Sequence, residues 1–110
     1  MRAVKIGADG WVAGIDLDPR GHRASHPATL VLWHNLDLWY SDQSATSEAE
    51  PNMAAMGLAL AVSDHAPHDL PLICGNAIVV ATDPETATPA SMSTQQCHAV
   101  SYALLTSLAA

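Results

Sequence analysis

The chain reads as an α+β domain: a small, mostly antiparallel sheet in the order ββββαβα, with two helices packed on one face. Three observations predict it. Short segments near the start alternate apolar and polar residues around an Asp-Gly pair; a later segment, "LICGNAIVVAT", is almost continuously apolar and β-branched; and a Ser-x-x-Gln sequence near the end precedes apolar residues at helical spacing.

The opening hairpin is the first element. Arg2 to Ile6 and Trp11 to Leu17 flank "ADG", a favoured turn sequence, and in the second segment Trp11, Ala13, Ile15 and Leu17 share one face. "DPRG" supplies a turn and "HRASHP" a loop. Thr29 to His34 and Leu38 to Tyr40 are rich in β-formers, with "HNLD" as a tight connection between them. The polar stretch "SDQSATSEAE" leads to a helix with Pro51 in its first turn and Met53, Met56 and Leu60 on one stripe. Gly57 inside that helix lowers its stability unless a neighbour needs close approach. A strand from Leu72 to Thr82, buried on both faces, follows. After the loop "TDPETATPAS", Ser93 and Gln96 form a capping box for a final helix from Thr94 to about Leu108, with Cys97, Val100, Leu104 and Leu108 at helical spacing.

A length of 110 residues, of which 49% are hydrophobic, suits a single domain spanning residues 1–110 with a core of its own. The formal charge is −7, and the four bases, Arg2, Lys5, Arg20 and Arg23, all precede residue 24. Phosphate binding needs several basic side chains along one face, so direct nucleic-acid binding is not expected. An acidic surface instead favours solubility or a basic protein partner, including proteins that normally hold nucleic acid. The N-terminus lacks the apolar core of a signal peptide and no apolar run reaches membrane-spanning length, which predicts a cytoplasmic protein with no membrane partner. Cys74 and Cys97 match no zinc or redox spacing and read as small buried apolar residues.

Concentrated chemistry is confined to "SDHAPHD". Asp64, His65, His68 and Asp69 are residue types that a zinc or manganese site uses, and they define an alternative reading as a metal-dependent enzyme or small-ligand binder. Pro67 interrupts the helical repeat that would align His65 with His68, and the reading preferred for this stretch is a polar connection out of a helix into a central strand. No nucleophile elbow and no Gly-rich phosphate loop occur, so no catalytic residue and no cofactor is expected. The tryptophans remain. With no Phe in the chain, at least one ring belongs in the core, while Trp33, Trp39 and Tyr40 on adjacent strands would form an aromatic anchor if they faced solvent, with Asp37, Asp42, Glu48 and Glu50 as an acidic complement.

The opening "MRAVKIGADGWVAGIDL", the "PNMAA" helix start and "LICGNAIVVATDPETATPASMSTQQ" together resemble an uncharacterised family of small proteins, a domain of unknown function recurrent in actinobacteria and their phages and plasmids. The resemblance covers about two thirds of the chain. Where members of that family carry Gly after the Val-rich strand and within the next turn, this chain has Ala81 and Ala87. The resemblance carries no catalytic residues across. It implies a mobile-element accessory protein that binds a host protein, such as an anti-CRISPR or anti-restriction inhibitor covering a nucleic-acid-binding defence component. A homo-oligomeric small-ligand binder with a closed apolar pocket is a third reading.

Overall fold

In a computed structural model, residues 1–18, 28–40, 50–63 and 67–109 are described. Six strands and two helices make up these segments: β1 (Arg2–Ile6), β2 (Val12–Asp16), β3 (Ala28–Val31), β4 (Leu36–Tyr40), α1 (Met53–Val62), β5 (Ala77–Thr82), β6 (Pro89–Ala90) and α2 (Thr94–Ala109), with a 3₁₀ turn at Pro67–Asp69. All the strand pairs are antiparallel, in the order β2-β1-β5-β4-β3, and β6 pairs with the end of β5. This is the expected α+β arrangement with one short strand added. Among the described residues no helix is long and apolar enough to cross a membrane.

The centre of the sheet is β5, flanked by β1 and β4, and Ala77 through Ala81 are all buried. Its side chains alternate between two cores. Ala77, Val79 and Ala81 join Val4, Ile6, Leu36 and Leu38 beneath the helices, where Ala55, Leu58, Val100 and Leu104 close the main core. Ile78 and Val80 point the other way, into a smaller cluster with Ala3, Leu17 and Trp39. The continuous apolar run thus corresponds to burial on both faces, as its composition predicts.

That run does not form one strand from Leu72, however. Gly75 takes a left-handed conformation (φ +72°) and Cys74 makes an isolated bridge to Pro51, so pairing with β1 begins only at Ala77. Nor does Pro51 open the helix. It lies in that bridge, and Asn52 caps α1. The Asn52 side chain is fully buried: its Oδ1 accepts from the Ala55 N–H at 3.0 Å, while its Nδ2 donates to the carbonyls of Ile6 at 2.9 Å and Gly75 at 2.8 Å. One amide therefore joins the helix start, the end of β1 and the approach to β5, and satisfies groups that would otherwise be buried without partners.

The turns position the rest. In the β1–β2 connection, Asp9 Oδ1 accepts from the Trp11 N–H at 3.0 Å, and a Cβ on Gly7 would stand only 2.5 Å from that oxygen, so a larger residue there would displace the Asp9 carboxylate from this position. Between β3 and β4, His34 and Asn35 both have positive φ (56° and 57°), and the Leu36 N–H donates to the Trp33 carbonyl at 3.1 Å, the pattern of a type I′ hairpin turn. The turn is tied down from outside itself. Gln96 Nε2 donates to the His34 carbonyl and the Thr82 N–H donates to the Asn35 carbonyl, each at 2.8 Å. Gln96 also completes the predicted capping box, its Oε1 accepting from the Ser93 N–H at 2.9 Å and its own N–H donating to Ser93 Oγ at 3.1 Å.

Candidate partner-binding surface

The aromatic residues expected to form one exposed face are divided between the two sides of the sheet. Trp39 is only 4% exposed and lies opposite Ile78 in the smaller core, so it is a core residue and not a surface anchor. The reason is the alternation of β4: Leu36, Leu38 and Tyr40 turn toward the helices, which sends Trp39 to the far side. Trp33 and Tyr40 are half-buried against the main core, and the Trp33 ring lies 4.6 Å from the His34 ring at a tilt of 59°. The expected Trp33, Trp39 and Tyr40 face is therefore not assembled.

The acidic complement is also dispersed. Asp37 is half-buried, its Oδ2 accepting a 2.6 Å hydrogen bond from Thr82 Oγ1 on β5, which ties this carboxylate to the sheet. Asp42 and Glu48 lie outside the described residues. Glu50 is exposed, and it lines a hollow of about 610 Å³ together with Lys5, Asp9, Trp11, Ala13 and Asn76.

Trp11 is the prominent feature of that hollow. It is 75% exposed, just ahead of β2, on the sheet face turned away from the helices. The Asp9 carboxylate is held at its side by the hydrogen bond to the Trp11 N–H. Gly7 leaves room for this carboxylate: the same absent Cβ that would strike Asp9 Oδ1 would also stand 3.6 Å from Asn76 Oδ1. An indole face, two carboxylates, an amide and the Lys5 ammonium thus line one concavity, and no side chain in it carries the geometry of a nucleophile with its base. Such a set can hold a planar cation: a guanidinium stacks on an aromatic face and shares paired hydrogen bonds with a carboxylate. Alternation alone gives Trp11 the same face as Ala13, Ile15 and Leu17, and its placement beside Gly10 at the end of the strand is the one sequence signal that it projects past the core.

Further along the same hairpin, the Met1 ammonium donates to Asp16 Oδ1 at 2.6 Å, and this bond and charge hold the exposed Asp16 carboxyl below its ordinary range. Of the metal candidates, Asp64 and His65 lie outside the described residues. His68 Nε2 stands 3.6 Å from Asp69 Oδ2 with both side chains largely exposed, and among the described residues no group of three or more His, Cys, Asp or Glu side chains converges as a metal site would require. Cys74 is buried and Cys97 half-buried, both as free thiols. No family model, no curated protein and no solved structure matches the chain.

Proposed function

We propose that this chain is a non-enzymatic binding protein that covers a basic surface of another protein, with Trp11 as the aromatic anchor and Asp9 and Glu50 as the acidic rim. The observation that carries the proposal is the exposure of Trp11 at the edge of a hollow lined by carboxylates. Exposed tryptophans that become desolvated on binding dominate interface energies, and surrounding carboxylates select arginine-rich partners. The −7 charge accelerates encounter with such a surface. The resemblance to proteins of phages and plasmids favours a host partner in the cytoplasm, and an arginine-rich surface is what a defence protein uses to hold nucleic acid, so the reading extends to an anti-CRISPR or anti-restriction inhibitor.

The test is a photo-crosslinking amino acid at position 11, expressed in an actinobacterial host with the same substitution at Val31 as control. The expected result is one host protein crosslinked from position 11 and not from position 31, displaced by added nucleic acid and by salt. With that protein purified, Trp11→Ala should weaken binding by about 30-fold or more, the scale of a hot-spot residue. Equal binding by Trp11→Ala and the unaltered chain overturns the assignment.

A further inference from the structure

β2 is an outer strand, and its pairing with β1 fixes which of its backbone groups are used. The Gly7 N–H donates to the Trp11 carbonyl and the Leu17 N–H to the Met1 carbonyl, each at 2.7 Å, so Trp11, Ala13, Ile15 and Leu17 are the residues bonded across to β1. Val12, Gly14 and Asp16 therefore direct their N–H and C=O groups to the outer side, where among the described residues no strand pairs with them. All three are exposed. Gly14, at the middle of this edge, has no cause inside the chain: its φ is not positive, the register with β1 runs through it without a bulge, and a Cβ built on it meets nothing within 4 Å. A glycine inside a strand weakens it, and where no bulge or bend calls for one its use is room for another backbone or a ligand. Gly14 opens on a hollow of about 370 Å³, lined also by Arg2, Val4, Asp16 and Cys97 on the helix side of the sheet. The Trp11 hollow adjoins the same strand on the other side, where Ala13 and Ile15 line it.

From this we infer that the outer edge of β2 takes up an extended segment of the partner as a further antiparallel strand, with an aromatic side chain over Gly14 and an arginine next to it in sequence reaching the Trp11 hollow. The inference rests on the Trp11 hollow as the partner site and adds the backbone form and residue pattern recognised there. The backbone selects the occupant first. Outward N–H and C=O groups at strand spacing are matched by an extended polypeptide. Successive side chains of a strand point to opposite faces, so the residue opposite Gly14 fills the helix-side hollow, while its neighbour opposite Ala13 crosses that small side chain toward the Trp11 indole and the Asp9 and Glu50 carboxylates. A large ring laid over an edge glycine also restores the cross-strand packing that the glycine gives up. A second copy does not fit this pattern. Its outer strands, VAGID in β2 and ATLV in β3, carry neither an aromatic ring nor an arginine.

NMR titration of the isotope-labelled chain with the peptide acetyl-Thr-Val-Phe-Arg-Val-Thr-amide tests this. The expected result is saturable movement of the Val12, Gly14 and Asp16 amide signals together with the Trp11 indole signal. Methylating the peptide's phenylalanine nitrogen, which removes the donor facing Gly14, should weaken binding about tenfold, and replacing its arginine by alanine should weaken it as much as Trp11→Ala does. Gly14→Pro removes an outward N–H that β1 does not use, so it should leave the circular dichroism spectrum unchanged and weaken the peptide about tenfold or more. If Gly14→Pro does not fold, Gly14→Val serves in its place, filling the space that the phenylalanine ring needs. Three results overturn the inference: no saturable binding by the unaltered chain, movement at the Thr29 and Val31 amides of β3 in place of β2, or equal binding by the N-methylated peptide. Peptide binding lost in Trp11→Ala but unchanged in Gly14→Pro would leave the Trp11 hollow as the partner site and remove the added strand alone.

Discussion

Trp11 and Trp39 lie on the same face of one sheet, yet the first is 75% exposed and the second 4%. What separates them is position across and along the strands. Trp39 sits within β4 opposite Ile78, next to the central strand, where neighbours close over it. Trp11 stands ahead of β2, an outer strand of the sheet, where β1 has already turned into the Gly7 to Gly10 connection. Strand alternation assigns a side chain to a face, but the number of strands beside it decides whether that face is core. The same residue type therefore carries stability at one site and is available for binding at the other.

The comparison can be broken by substitution, beginning with the largest expected effect. Trp39→Ala removes a buried indole and should cost about 3–5 kcal/mol, read as a large fall in the urea midpoint; a loss below about 1 kcal/mol would show that Trp39 is not core. Asn52→Ala should cost about 3 kcal/mol, because it removes a helix cap and leaves the buried carbonyl of Ile6 and the half-buried carbonyl of Gly75 without this donor. Ala87→Gly acts in the opposite direction. Ala87 has φ 55°, a region that glycine occupies without the Cβ penalty, so the change should stabilise the fold by about 0.5–1 kcal/mol. Smallest of all is the stability effect of Trp11→Ala, within about 0.5 kcal/mol, as for other exposed positions. A larger fall in its thermal midpoint would place Trp11 among the structural residues and sharpen the contrast out of existence.

The legible parts of this fold are those whose cause is local. The Ser93 and Gln96 capping box needs only two residues three apart, and both its hydrogen bonds form. The opening hairpin follows from alternation around Asp9 and Gly10, and the doubly buried strand from an unbroken apolar run. What sequence reading misplaced depends on distant partners. Nothing near Asn52 announces that its amide will meet Ile6, forty-six positions earlier, and Gly75. Because that contact holds the chain at Pro51 and Cys74, the helix starts at Met53 and the strand at Ala77. Of the expected site residues that lie among the described residues, Glu50 alone lines the hollow at which Trp11 stands.

By itself the sequence determined the α+β class, the final helix and its cap, the two-faced central strand and the acidic balance, because each follows from periodicity, short-range hydrogen bonding or composition. Only the tertiary structure decided which tryptophan is core and which is exposed, since exposure depends on strand order and on where a neighbouring strand ends. It likewise placed two uncharged helices side by side on one face, and set Trp11, Asp9 and Glu50 around one hollow on the other, by contacts between residues far apart in the chain.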